Sequence, residues 1–247
     1  MARYRDRHLD GTRIEGEWHE IKLGLVGAWQ DGQLTDASYV AARETAATCA
    51  PRLGTEAARR GALDIVGWRG LDTDGGGQEA ILRQIVVLGD GAKWIWEHVA
   101  STFGSERVEI LDWYHCCQHL WVVSDAVHGA GSSPAEAWVD HAKDVIWQEG
   151  PDALLRLLAT CRAPTEETTK VLETERGYFR TNAERMRYST YRDQGLPIGS
   201  GAVESAAKHL VQQRMKRAGM RWSELGARAI LHLRCALLNH ELLKQAA

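Results

Sequence analysis

Two short apolar runs, each ended by an aspartate, constrain the fold of this chain more than any other feature. Ile85–Leu88 stops at Gly89-Asp90-Gly91, and Val108–Leu111 stops at Asp112. Short apolar runs that are rich in β-branched residues and bounded by turn residues are typical of strands buried on both faces. Residues 92–103 lie between them and have a helical pattern. A strand, a helix and a strand over this length predict a parallel βαβ unit, whose chemistry sits at the carboxyl ends of the strands.

The predicted secondary structure differs between the chain before that unit and the chain after it. Trp18–Trp29 is predicted as a strand that ends at the turn Asp31-Gly32, and residues 55–66 have helical composition. No strand pattern occurs after the βαβ unit. The predicted helices there cover residues 135–147, 153–161, 165–187, 202–217 and 223–243.

These patterns predict an α/β protein in three regions. Residues 1–118 form the first part of the α/β core, and residues 119–195 form an all-helical insertion. Residues 196–247 begin with a loop rich in glycine and proline, and their helices complete the core.

Two carboxylates occupy positions that suit a divalent metal site. Asp90 follows the first strand, and Glu204 lies in the first turn of the helix after Gly199-Ser200-Gly201. Mg²⁺ prefers oxygen ligands and keeps several waters, so a few carboxylates suffice to hold it. The alternatives are a turn aspartate for Asp90, and for Glu204 a favourable interaction with the helix dipole.

A second cluster begins at Asp112. Asp112 and His115 are predicted to face the active-site edge of the sheet, and the alternative is that Asp112 only caps the next helix. A zinc site made from His115, Cys116, Cys117 and His119 is disfavoured, because adjacent cysteines cannot easily point at one tetrahedral centre.

A basic segment follows Glu204 directly. The chain has a net charge of −3, yet Glu224 is the only acid between Lys208 and Arg234. Such an excess suits a phosphate backbone, although most charge runs are simply solvated helix faces. The basic residues of this span are Lys208, Arg214, Lys216, Arg217, Arg221, Arg228 and Arg234.

The sequence lacks the patterns of a membrane, secreted or disulfide-bonded protein. No apolar run approaches the roughly 18 residues that a membrane span needs, and residues 1–8 are charged and unlike a secretory signal. Five irregularly spaced cysteines do not form a disulfide framework. We therefore expect a cytoplasmic protein with no membrane and no disulfide partner.

Several ordered motifs of this sequence resemble bacterial insertion-sequence transposases of the ISKra type. The resemblance covers nearly the whole chain and also includes an early W-x-E-x-K strand. The motifs that carry it are Gly89–Trp96, Leu111–His115, Leu196–Ser205, Arg214–Trp222 and, for the early strand, Trp18–Gly24.

The resemblance implies an RNase H-like mixed sheet with an all-helical insertion and C-terminal helices. It also implies a DDE triad with two Mg²⁺ (or Mn²⁺) ions, which cleaves DNA at transposon ends and transfers the strands to target DNA. Asp90 matches the second acid and Glu204 the third, and Asp112-x-x-His115 looks like the D-x-x-H signature of several transposase groups. The protein is then expected near the bacterial nucleoid, in a homo-oligomer.

The first acid of the triad has two candidate positions. Asp10-Gly11-Thr12 precedes the Trp18 strand, where a D-G-[TV] motif belongs, but residues 1–9 contain no apolar strand. The alternative, slightly favoured, is that the first strand and its aspartate lie upstream of Met1, so that this copy is truncated and weak or inactive. Two further functions stay open, an RNase H-like structure-specific nuclease and a non-catalytic DNA-binding remnant of a transposase.

Overall fold

The chain forms mixed α/β structure, and its contacts divide it into two units that are each built from separate stretches of the sequence. The computed structural model describes residues 11–62, 64–70, 78–82, 84–105 and 107–241. The described part of the first unit comes from the chain up to Ile85, from residues 97–105 and from Gly201 onward. The second unit consists of residues 86–96 and 107–200. The predicted α/β class is therefore confirmed.

Antiparallel hairpins supply the strands of the first unit. The first hairpin pairs β1 with β2, the second pairs β3 with β4, and the third pairs β5 with β6. Asp31 and Gly32, at the tip of the second hairpin, have φ of 51° and 74°, as the commonest two-residue hairpin turn requires. The strand bounds are β1 Gly11–Ile14, β2 Glu17–Glu20, β3 Lys22–Gln30, β4 Gln33–Ala42, β5 Ile65–Gly70 and β6 Gln78–Leu82.

Two predictions for this part of the chain were wrong in detail. The strand expected over Trp18–Trp29 is divided at Ile21 between β2 and β3, although it does end at Asp31-Gly32 as predicted. The helix expected over residues 55–66 is α1, Ala46–Arg59, which contains Pro51. Ile65 and Val66 belong instead to β5.

Helices that follow Gly201 pack on the hairpins of the first unit. They comprise α8 (Gly201–Ala207), a π-helical turn (Lys208–Gln212), α9 (Gln213–Met215) and α10 (Glu224–Leu238). The two predicted helices are thus confirmed, although the π-helical turn was not expected. The buried apolar core of this unit consists of Ile14, Ile21, Ala41, Ala206, Leu210, Val211, Met215, Ala227, Leu231 and Cys235.

The predicted βαβ unit is confirmed. β7 (Ile85–Gly89), α2 (Lys93–Phe103) and β8 (Arg107–Leu111) follow one another, and β7 pairs with β8. The Asp112 N–H donates to the Gly89 carbonyl over 2.8 Å, so the two strands end side by side and run in the same direction. β7 is less buried than predicted: the side chains of Ile85–Leu88 are half-buried, whereas the sequence predicted burial on both faces.

The second unit continues as a block of helices, as predicted. Side-chain caps begin several of them: Ser132 accepts the Ala135 N–H, and Thr165 forms a reciprocal capping box with Thr168. Pro134 and Pro151 lie in the first turns of their helices, where the missing N–H costs nothing. The helices are α3 Trp113–His128, α4 Ser133–Gln148, α5 Pro151–Thr160, α6 Glu166–Asn182 and α7 Tyr188–Asp193.

The core of the second unit connects β8 to these helices. Ile110 and Leu111 are fully buried against apolar side chains of α3, and Phe179 and Tyr188 are equally buried. Complete burial of such side chains contributes about 1.5–3 kcal/mol each. The carboxyl end of β8 is therefore anchored in a well-packed apolar core. Over the described residues, no helix is long and apolar enough to cross a bilayer.

Candidate functional site

The ends of β7 and β8 bring two of the predicted site residues onto neighbouring strands. Asp90 follows β7 and Asp112 follows β8, and the hydrogen bond from Asp112 N–H to the Gly89 carbonyl joins the two ends. The carboxyl edge of a parallel pair is where open α/β sheets place their ligands. We call Asp90, Asp112 and the side chains that hold them the acidic edge.

Asp90 is exposed, and two hydrogen bonds fix its turn, one accepted by its side chain and one by its backbone. Its Oδ1 accepts the Ala92 N–H over 2.9 Å, and its carbonyl oxygen accepts the Tyr178 hydroxyl over 2.9 Å. Oδ2 receives no hydrogen bond from the residues that the structure describes. Asp90 therefore presents a carboxylate oxygen to solvent from an ordered turn.

Tyr178 and the side chains around it form a supported group. Its ring stacks on His119, with 3.6 Å between ring centroids, and His119 Nδ1 lies 2.6 Å from Oε2 of the buried Glu175. Burial raises the pKa of Tyr178, with smaller contributions from nearby acidic groups. The hydroxyl therefore stays protonated at neutral pH and donates a hydrogen bond to the Asp90 carbonyl.

Gly91 permits this contact. Its φ is +92°, and a Cβ there would lie 2.7 Å from the Tyr178 hydroxyl oxygen and 3.0 Å from a Leu111 methyl carbon. The position therefore excludes a side chain on two grounds, backbone strain and lack of space.

Gly91→Ala is expected to lower the free energy of unfolding by about 2–4 kcal/mol, from backbone strain and overpacking together. Gly195→Ala is the matched control, because Gly195 also has a positive φ, +72°, but a Cβ there would meet no atom of the described residues within 4 Å. It should cost only about 1–2 kcal/mol. Denaturant unfolding measures both variants, and equal losses would contradict the importance of the Tyr178 contact.

Asp112 is fully buried and uses both oxygens. Its Oδ1 accepts the His115 N–H over 2.9 Å and lies 3.2 Å from His115 Nδ1, and its Oδ2 accepts the Ser200 N–H. Burial alone would raise the pKa of Asp112, but the hydrogen bonds from His115 and Ser200 outweigh it and hold the pKa below its usual value.

These contacts give Asp112 the helix-capping role that the sequence offered as the alternative. It is the N-cap of α3, and it also fastens the loop before α8. Trp113 N–H adds a second bond to that loop, to the Ile198 carbonyl over 2.8 Å. A direct role of Asp112 and His115 at the active-site edge stays a prediction.

The cysteines that follow Asp112 are free thiols. Cys116 is fully buried, and burial raises the pKa of Cys117 to about 12. Thiols with raised pKa values are poor metal ligands and poor nucleophiles at neutral pH. Over the described ranges, no group of three or more His, Cys, Asp or Glu side chains is arranged to hold a metal ion.

Glu204 lies where the sequence predicted, in the first turn of α8, and it is exposed. Its neighbours Ala206 and Ala207 are buried, so the apolar face of the helix turns inward as expected. Asp90 belongs to the second unit and Glu204 to the first. Asp10 lies outside the described residues, and the shared two-metal site stays a prediction.

The basic segment after Glu204 presents its charge to solvent. Lys208, Arg214, Arg217 and Arg221 are exposed, and Lys216 is half-buried. Glu224, the one acid of the span, forms an ion pair with Arg43.

A further arginine adds to the positive potential of this region. The Arg234 side chain donates to the His209 carbonyl over 2.7 Å. Burial lowers the pKa of Arg234, and the charge of Arg214 lowers it further. The two like charges oppose each other, and an anionic ligand would reduce this repulsion.

The supporting residues of the acidic edge could not be identified from the sequence. Tyr178 and Ser200 each lie 88 residues from the aspartate that they contact. The sequence pointed to His119 only as a member of a disfavoured zinc site. No local motif connects Glu175, His119 and Tyr178, because their contact depends on how α3 packs against α6.

Comparison with known proteins gives one match. No curated protein and no solved structure matches the chain significantly. The profile of the family described as "Uncharacterised protein family (UPF0236)" matches residues 77–247, which include the acidic edge, the helical block and the basic segment. The chain belongs to this uncharacterised family, UPF0236.

Proposed function

We propose that this protein is the DNA transposase of an insertion sequence, with an RNase H-like core and a DDE set of carboxylates. One observation carries the proposal: an exposed aspartate, held by an ordered turn, ends the first strand of a parallel βαβ unit. Later in the chain an exposed glutamate opens a helix that leads into the basic segment. Strand-end acid, helix acid and basic segment are the parts that metal-dependent phosphoryl transfer on DNA needs.

Asp90 and Glu204 would hold the metal ions, with Asp10 as the candidate for the first acid. The exposed Oδ2 of Asp90 fits Mg²⁺ or Mn²⁺, which prefer hard oxygen ligands and retain water. When bound, such ions activate the attacking oxygen and stabilise the leaving oxygen. Tyr178 and Gly91 have a positioning role, because they fix the turn from which Asp90 projects.

The basic segment would bind the DNA backbone. Each phosphate that a lysine or arginine neutralises releases counterions, so the affinity should fall steeply with salt. Lys208, Arg214, Arg217 and Arg221 are exposed and able to make such contacts. Because the net charge of the chain is −3, this affinity depends on a local surface and not on the protein as a whole.

The test is a nicking and joining assay on the two DNA segments that flank the coding sequence in its genome. The proposal expects nicks at defined positions with Mg²⁺ or Mn²⁺, none with EDTA, and joining of the cut strands to a second DNA. A scrambled duplex of the same composition is the control substrate.

Other outcomes separate the alternatives. Cleavage without joining would replace the transposase by an RNase H-like structure-specific nuclease. Salt-dependent binding with no metal-dependent cleavage would leave a DNA-binding remnant. If nicking occurs and Asp10→Ala abolishes it, Asp10 is the first acid.

A further inference from the structure

A tryptophan of the first unit lies half in solvent beside two cations. Trp18, on β2, is 48% exposed. The Arg13 guanidinium carbon lies 6.0 Å from its ring centroid, and Lys216 Nζ lies 5.3 Å from it. Arg13 is directly opposite Trp18 in the β1–β2 register, so the hairpin itself sets one of the two contacts.

The β1–β2 hairpin is fastened to both ends of a basic loop. The buried Thr12 hydroxyl donates to the Met215 carbonyl over 2.8 Å. At the other end, Glu15 N–H donates to the Trp222 carbonyl over 2.9 Å, and Ile14 forms a bridge with Trp222. The loop between Met215 and Trp222 contains three basic residues, Lys216, Arg217 and Arg221. The hairpin that carries Trp18 is therefore held by hydrogen bonds next to a positively charged loop.

We propose that Trp18, Arg13 and Lys216 form a binding site for an unpaired nucleotide of DNA. The base stacks on the indole, and Arg13 and Lys216, which lie over the ring when no nucleotide is bound, turn to the neighbouring phosphates. The identity of the polymer as DNA rests on the proposed function. A pairing of one exposed aromatic ring with flanking cations is how proteins bind single strands without reading their sequence.

Charge complementarity argues for this occupant over an apolar partner. A surface that binds an apolar partner normally presents a contiguous apolar patch of a few hundred Å². Here Arg13 and Lys216 contact the ring, and the loop adds Arg217 and Arg221. A polyanion with flat apolar rings satisfies both properties of this surface.

The expected magnitude follows from base stacking. Stacking on an aromatic side chain contributes about 1–3 kcal/mol per base, so Trp18→Ala should weaken single-strand binding by about 5- to 150-fold. Trp18→Phe should keep most of the affinity, because every aromatic ring offers a stacking face. Arg13→Gln and Lys216→Gln should each reduce the salt dependence, by about 0.7 in the slope of log K against log salt.

Fluorescence anisotropy with a labelled mixed-sequence oligonucleotide tests the proposal on the full chain, in EDTA. The matched control is Trp29→Ala, since Trp29 is 37% exposed on the neighbouring hairpin. The proposal expects a large loss with Trp18→Ala, little change with Trp29→Ala or Trp18→Phe, and little change for either alanine variant on a blunt duplex.

Several results would overturn it. Equal binding by wild type and Trp18→Ala would do so, as would equal losses on single strand and duplex. Polyglutamate that competes as well as the oligonucleotide would show a surface for acidic peptides instead. Circular dichroism must show that Trp18→Ala is folded; if it is not, Trp18→Leu replaces it, because leucine keeps apolar bulk but offers no ring for stacking.

This test is independent of the transposase assay. Single-strand binding in EDTA needs neither metal nor cleavage. A protein that shows the Trp18 effect but never nicks DNA would retain the nucleotide site and lose the proposed activity. A protein that nicks DNA, but binds single strands equally well with and without Trp18→Ala, would have the proposed activity and lack the nucleotide site.

Discussion

Asp90→Ala should reduce metal-dependent nicking by about a thousandfold or more. Loss of a metal-binding carboxylate removes several kcal/mol of charge stabilisation, and about 1.4 kcal/mol corresponds to a tenfold change in rate. DNA binding in EDTA should be unchanged, because the proposed DNA contacts lie in the basic segment and beside Trp18 and do not include Asp90. The measurement is the initial rate of nicking, with binding measured separately.

Asp193→Ala is the control for this substitution. Asp193 is an exposed aspartate at the end of α7, in the same unit as Asp90. Nicking by Asp90→Ala at the rate of the control would remove Asp90 from the active site.

The same assay also tests whether Asp90 and Glu204 serve one site. Glu204→Gln alone should cause a loss similar to that of Asp90→Ala. Residues that act as a unit are strongly non-additive, so the double variant should be no worse than either single one. Multiplied losses would indicate separate roles for Asp90 and Glu204 and would contradict a shared metal site.

Asp112→Ala should lower the free energy of unfolding by about 2–4 kcal/mol. Removal of an N-cap costs about 0.5–2 kcal/mol, and a hydrogen bond to a charged group contributes about 1.5–3 kcal/mol. Here the charged group is the fully buried carboxylate that accepts the N–H groups of His115 and Ser200. Hydrogen exchange should therefore speed up at both the start of α3 and the loop before α8.

Asp112→Asn keeps the shape of the Asp112 side chain but removes its charge and one of its two hydrogen-bond acceptors. The hydrogen bonds hold the folded pKa of Asp112 below its usual value, whereas an unfolded aspartate titrates near about 3.9. The stabilisation by the ionised form is therefore complete above about pH 4 and is lost as the pH falls through the folded value.

The stability difference between wild type and Asp112→Asn should accordingly be largest near neutral pH and shrink in acid. Denaturant unfolding at about pH 7 and about pH 3 measures it. A difference that grows in acid would contradict the sign of the shift, and a difference of zero at neutral pH would contradict the role of the charge.

Local patterns were sufficient to predict the βαβ unit and the helical block. Ile85–Leu88 and Val108–Leu111 are short, apolar and bounded by turn residues, and Pro134 and Pro151 mark helix starts. The start of α1 was missed because Pro51 suggests a break, yet this helix continues through it. Asp31-Gly32 was recognised as the end of a strand but not as the tip of a hairpin, because the partner β4 has weak alternation.

The residues of the candidate site also fall into two groups: those that local sequence patterns predict and those that they do not. Asp90 and Glu204 were identifiable from their places beside a strand and at a helix start. Tyr178 under Asp90, Ser200 on Asp112 and Lys216 beside Trp18 could not be identified, since each contact joins residues far apart in the chain. Such contacts arise from packing, and a single sequence carries no periodic signal for them.

The interleaving of the two units has a consequence for biosynthesis. Ile14 and Ile21 are buried with Leu210 and Leu231. The hairpins made early on the ribosome can pack on α1, but they lack these later core partners until the chain beyond Gly201 emerges. The helices up to Ser200 have their whole core available sooner, in reverse of the usual N-terminal-first order of nascent chains. A nascent chain that has emerged from the ribosome as far as residue 200 would therefore carry a finished helical block and a β-region whose core is still incomplete.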